Sequence, residues 1–159
     1  MIIKYLKKLK KNIKEHLLRL EYRNLSSKEA FEKIYDNKEW NRNSIKINSG
    51  PGSHEKSLIE PYIKFVSKFL KKKKLNILDL GCGDFNVGKE FYKLSSSYLG
   101  IDIVESVIKA NKIRFYNQKL DFLCLDIIND DLPNADCVII RQVLQHLDNK
   151  SIKKILFKF

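Results

Sequence analysis

Cysteine is scarce in this chain and poorly spaced for chemistry: Cys82, Cys124 and Cys137 are odd in number, and no two stand as C-x-x-C. This excludes a disulfide framework or a cysteine-built metal site and indicates small core residues in a reducing compartment. Long apolar runs are also missing. None approaches the roughly 20 residues needed to span a bilayer. The N-terminus lacks the apolar core of a signal peptide, so a cytoplasmic location is expected. Acidic residues are outnumbered, 19 against 31 lysines and arginines, giving a formal net charge of +12.

At 159 residues and 43% hydrophobic, the chain is long enough for one domain with a core and an appendage, and too short for two ordinary domains. The charge is concentrated at the start, where residues 1–28 hold nine basic and two acidic side chains. Leu6, Leu9, Ile13, Leu17 and Leu20 recur at helical spacing among lysines, which makes an amphipathic basic helix. Such a helix packs on its own domain, lies on an anionic membrane surface or holds a nucleic acid.

A second short helix is expected over Ser27–Tyr35, capped by Ser26 or Ser27, with Ala30, Phe31 and Ile34 on one face. Residues 36–53 lack periodicity and end in Ser49-Gly50-Pro51-Gly52-Ser53, a loop that divides an appendage (1–48) from a main domain (49–159). Trp40 stands alone in this polar stretch, as an anchor for the loop or as part of a cover over a ligand. Next, His54–Leu70 carries an apolar face at helical spacing, with Pro61 starting or kinking the helix. Lys71–Lys74 suit its C-terminus, where cations meet the negative end of the helix dipole.

The most informative stretch is Asn76–Gly88. Ile77, Leu78 and Leu80 make a buried strand with Asp79 inside it, and Gly81 and Gly83 then allow a tight turn. A helix over Lys89–Leu94 should follow. A dinucleotide fingerprint fails because Asn86 fills its third glycine slot, and a phosphate loop fails because Glu90 replaces the magnesium-binding hydroxyl. Asp84 inside the loop would also repel phosphates.

Acids near a glycine turn suit a cationic or hydroxyl-rich ligand. The run Ile77-Leu78-Asp79-Leu80-Gly81-Cys82-Gly83-Asp84 resembles the first motif of class I S-adenosylmethionine-dependent methyltransferases, with Phe85 in place of that motif's final glycine. A second strand, Tyr98–Ile103, contains Asp102, 19 residues beyond Gly83, the spacing at which a carboxylate reaches ribose hydroxyls from the adjacent strand. A third, Phe122–Ile127, contains Asp126, which the resemblance places beside an adenine amino group.

The remaining order is helix Glu105–Phe115 after the second strand, strand Asp136–Arg141, and a helix within Asp148–Phe159. Alternating strands and helices argue an α/β, Rossmann-like, mainly parallel sheet of about four strands, with ligands at the strands' carboxyl ends. The resemblance implies S-adenosylmethionine as cofactor, held by Asp79, Gly81, Cys82, Gly83, Asp84, Asp102, Ile103, Asp126, Ile127, Arg141 and Gln142. It also implies a small-molecule or saccharide methyl acceptor near Arg141–Leu147, with His146 as a candidate base. The family usually has seven strands and this chain has room for four, so either the sequence is a truncated product, or another chain completes the sheet, or a reduced domain binds cofactor without catalysis. The alternative is a non-catalytic protein that binds a membrane or nucleic acid through its basic helix.

Overall fold

The computed structural model describes residues 20–40 and 47–159. The expected N-terminal basic helix falls almost wholly outside these residues. Among them, no helix is long and apolar enough to cross a membrane.

Helix α1 spans Ser27–Asp36 and starts at a capping box, in which the Ser26 hydroxyl accepts from the Glu29 N–H and the Glu29 carboxylate accepts from the Ser26 N–H. The expected loop then includes a one-turn helix, α2 (Pro51–His54), because Gly50 at φ 83° turns the chain and Pro51 is preset for a first helical position. Helix α3 covers Lys56–Leu70, with Pro61 inside it rather than at its start.

Four strands form a parallel sheet: β1 (Asn76–Leu80), β2 (Ser97–Asp102), β3 (Leu120–Cys124) and β4 (Cys137–Ile140). Their order is β3-β2-β1-β4, so the chain moves one way from β1 to β3 and then crosses back to the other side of β1. Such a reversal opens a crevice beyond the carboxyl ends of the strands.

Side chains alternate across the sheet. On one face Ile77, Tyr98, Leu120, Phe122 and Ile139 pack with Leu70 of α3 and Ile108 of α4 (Glu105–Arg114). On the other face Leu78, Leu80 and Ile101 pack with Ile155 of α5 (Asn149–Leu156). The near-continuous apolar runs of β1 and β2 therefore feed two cores, one on each face of the sheet and each covered by helix.

Lys89–Leu94 does not form the expected helix. It folds as two short 3-10 turns, Gly88–Glu90 and Tyr92–Leu94. Phe85 explains the difference. It adopts φ 62° and is fully buried, with its ring edge-on to Phe122, Phe115 and Tyr98 at centroid distances of 4.9, 5.1 and 5.5 Å. This anchor draws the chain into the core just where a helix would have begun.

Candidate functional site

The glycine turn leaves β1 with Gly81 at φ 74° and Gly83 at φ 53°. The Gly81 and Cys82 N–H groups both donate to the Ile101 carbonyl, which ties the turn to β2. Neither glycine has room for a side chain. A β-carbon on Gly81 would stand 2.3 Å from Cγ2 of Val143, and one on Gly83 would stand 2.3 Å from Oγ of Ser49.

Asp102 ends β2 beside this turn. One carboxylate oxygen accepts the Gly83 N–H at 2.9 Å and the other the Val104 N–H at 3.1 Å. Burial pushes its carboxyl above the usual range, and the backbone donors of Val104 and Gly83 partly offset that rise. Beneath the turn, Asn111 of α4 donates to the Gly83 carbonyl at 2.7 Å. The sequence reading passed over Asn111. Its signal is a polar residue in the stripe Val104, Val107, Ile108, all of them buried.

A cavity of about 260 Å³ opens above these elements. Its walls include Gly81, Cys82, Gly83, Asp102, Ile103, Asp126, Ile127, Arg141, Gln142 and His146, so ten of the expected site residues meet in one hollow. Asp126 lies two residues past the end of β3 rather than inside a strand. Its carboxylate accepts the Ile128 N–H at 2.8 Å and the Asn129 amide at 2.7 Å, which fixes it in a turn facing the cavity. Burial raises the Cys82 thiol well above its usual value, so it is a neutral wall residue.

Asp79 and Asp84 are not in this cavity. Asp79 lies between Leu78 and Leu80, which point to the α5 face, so alternation turns it to the opposite face. There it accepts the Tyr98 hydroxyl at 2.8 Å. Asp84 is 3% exposed and binds the protein's own chain, accepting the Ser49 N–H at 3.2 Å and the His54 ring at 2.5 Å. Both belong to a smaller recess with Tyr62 and Arg141. Expecting both carboxylates to face a ligand ignored the direction in which each side chain leaves the backbone.

The cover over the cavity comes from the N-terminal appendage and the loop after it, the segment in which the sequence offered Trp40 as an anchor or as part of a cover. Phe31 and Tyr35 of α1, Trp40, and Ser49 to Ser53 all line it. Trp40 packs against Tyr35, Phe31 and His146 at 5.1, 6.2 and 6.2 Å between ring centroids, so it anchors the cover and walls the cavity at once. Arg141 holds the Gly52 carbonyl at 2.6 Å and lies over the Tyr62 ring. Partial burial lowers the His146 imidazole below its usual value, and among the described residues its ring has no hydrogen-bond partner.

Residues 78–158, just over half of the chain, match the family model described as a methyltransferase domain. The chain belongs to this methyltransferase-domain family. It is 34% identical over 80 residues to a carboxy-S-adenosyl-L-methionine synthase of Campylobacter hominis, covering 48% of this chain and 34% of that protein. To an uncharacterised methyltransferase of Mycobacterium bovis it is 31% identical over 75 residues, covering 46% and 38%. The chain thus spans little more than a third of these curated relatives.

The fold is shared more widely. A magnesium protoporphyrin IX methyltransferase from Synechocystis, solved with S-adenosylmethionine bound, superposes with a TM-score of 0.62 at 16% identity, over 84% of this chain and 70% of its own. Human N-acetylserotonin methyltransferase, also solved with that cofactor, gives a TM-score of 0.55 at 21% identity, over 87% and 39%. These likenesses establish the Rossmann-like α/β architecture of the methyltransferase-domain chain.

Proposed function

We propose that this methyltransferase domain binds S-adenosylmethionine in the cavity above the glycine turn and directs its methyl group to a small-molecule or saccharide acceptor. The observation that carries this reading is the convergence of Asp102 and Asp126 on one hollow beside Gly81–Gly83. The lining suits such a ligand. Each Asp102 oxygen receives one backbone N–H and keeps acceptor capacity for a hydroxyl, while Ile103, Leu125, Ile127 and Val143 give an apolar wall for a flat ring.

When bound, the cofactor supplies a methyl group on a sulfonium, whose departure needs little assistance. The chain's own part is positioning, where effective molarities of about 10⁵ M or more are available from alignment. Asp102 would hold the ribose hydroxyls and Asp126 the adenine amino group. His146, uncharged near neutrality and without a partner among the described residues, would take a proton from a hydroxyl or amine acceptor. The aromatic wall of Phe31, Tyr35 and Trp40 gives that acceptor a broad apolar surface.

The outer edge of β4 has no partner strand among the described residues, and a strand from a partner chain pairing there belongs to this reading. The alternative role, membrane or nucleic-acid binding through the basic N-terminal segment, rests on residues almost wholly outside the described ones and draws on nothing in the cavity. Calorimetric titration with S-adenosylhomocysteine tests the proposal. Wild-type chain should bind, and Asp102→Ala should bind at least about tenfold more weakly, as expected when a charged acceptor is lost. Equal binding by the variant removes the main support.

A further inference from the structure

Two segments distant in sequence meet at Asp84. Residues 49–54, of which Ser49 to Ser53 roof one end of the cavity, make six contacts: four with the glycine turn's continuation at Asp84 and Asn86, one with Arg141 and one with Tyr35. The Asp84 N–H donates to Ser49 Oγ at 2.7 Å, and the Asp84 carboxylate accepts the Ser49 N–H and pairs with His54. Asn86 donates to the Ser53 carbonyl at 2.7 Å, and Arg141 to that of Gly52 at 2.6 Å. The sixth contact continues outward: Ser49 Oγ lies 2.9 Å from the Tyr35 hydroxyl of α1. Tyr35 is in turn packed against Trp40.

This arrangement is specific to the small groups present. Ser49 Oγ occupies the space where any β-carbon on Gly83 would stand, so the serine fits because the residue opposite is glycine. Asp84 has almost no exposed surface, and both of its oxygens are engaged, one by Ser49 and His54 and the other by the Asn86 N–H. A carboxylate so enclosed is oriented by the protein and holds what surrounds it.

We propose that Ser49 and Asp84 are positioning residues that couple the cofactor turn to the aromatic cover. The series runs from the Gly83–Asp84 turn through Ser49 to Tyr35 and Trp40. Ordering the turn around a cofactor thereby sets the wall against which the acceptor lies. This inference rests on the cofactor reading above, and it assigns to Asp84 a role distinct from ligand contact.

The full chain provides its own reporter, because Trp40 is its single tryptophan. Acrylamide quenching of Trp40 and calorimetric binding of S-adenosylhomocysteine are measured on wild type, Ser49→Ala, Tyr35→Phe and the double variant. Ser49→Ala should expose Trp40 to quenching and weaken binding about three- to tenfold, the effect of one or two lost hydrogen bonds. Tyr35→Phe, which removes only a hydroxyl, should raise quenching with less effect on binding. Because the links act in series, the double variant should quench like Ser49→Ala alone.

Wild-type quenching in Ser49→Ala, or additive increments in the double variant, overturns the inference. Failure of the wild type to bind S-adenosylhomocysteine overturns the cofactor reading instead. The quenching of the free variants still decides whether Ser49 joins the turn to the cover.

Discussion

The Tyr98 hydroxyl on β2 donates to the Asp79 carboxylate on β1 at 2.8 Å, and both side chains are buried on the same face of the sheet. Burial lifts Asp79 from 3.8 to about 6, and the bond from Tyr98 holds it lower than burial alone would. A carboxyl raised in this way binds its proton first in the folded state. Its contribution therefore favours folding at low pH and is lost as pH rises from about 4 to about 6. Asp79→Asn should be the more stable chain above pH 6, by at most about 3 kcal/mol, with the gap closing as pH falls to 4. Urea unfolding at several pH values measures this, and a pH-independent gap contradicts it. Tyr98→Phe should move the upper end of that window to higher pH.

Phe85 sets backbone strain against burial. Its φ of 62° costs a non-glycine residue about 1–2 kcal/mol, while removing a buried phenylalanine ring costs about 3–5 kcal/mol. Burial wins, so Phe85→Gly, which restores the glycine common in the motif, should destabilise the chain by roughly 2–3 kcal/mol. Phe85→Ala should be worse than Phe85→Gly, because alanine loses the ring and retains the strain. Thermal or urea denaturation of both variants settles the order.

Gly81 faces both restrictions at once, a φ of 74° and Val143 at 2.3 Å from any added β-carbon. Gly81→Ala should destabilise by about 2 kcal/mol or more and weaken S-adenosylhomocysteine binding at least about tenfold. Adding Val143→Ala removes the contact and leaves the dihedral strain, so recovery should be partial. Full recovery would show that the dihedral contributes little.

Phe31 and Trp40 lie against the His146 ring at 5.8 and 6.2 Å between centroids and shield part of it from water. Its imidazole should titrate below the usual 6.5 in the folded chain, so it is neutral at pH 7. Trp40→Ala readmits water and should move the midpoint up toward 6.5. Nuclear magnetic resonance titration of the ring follows both without an acceptor in hand. An unshifted midpoint in the variant shows that Trp40 does not set the value.

Much of the sheet was legible because the signals were local. Ile77–Leu80, Tyr98–Asp102 and the residues around Phe122 are short apolar runs of strand length, and the helix expected over Glu105–Phe115 matches the observed α4 within one residue. The glycine turn and Asp102 were legible for the same reason, since their spacing is set by one strand, one crossover and the next strand. Asp84 misled because a carboxylate in a ligand-binding motif reads the same whether it faces a ligand or Ser49. The two 3-10 turns were missed because Phe85 finds its partners, Phe115 and Phe122, some 30 or more residues away.

The order of residues by itself determined the parallel sheet, the bend at Gly81–Gly83 and the carboxylates near the strand tips, because period, turn chemistry and strand spacing act over short distances. Only the tertiary structure decided which carboxylates share a hollow: pleating turns Asp79 to the far face, and Ser49 and His54 engage Asp84. It also decided that the early helix and loop roof the site, since hydrogen bonds between Tyr35, Ser49 and Asp84 join positions that no sequence period connects.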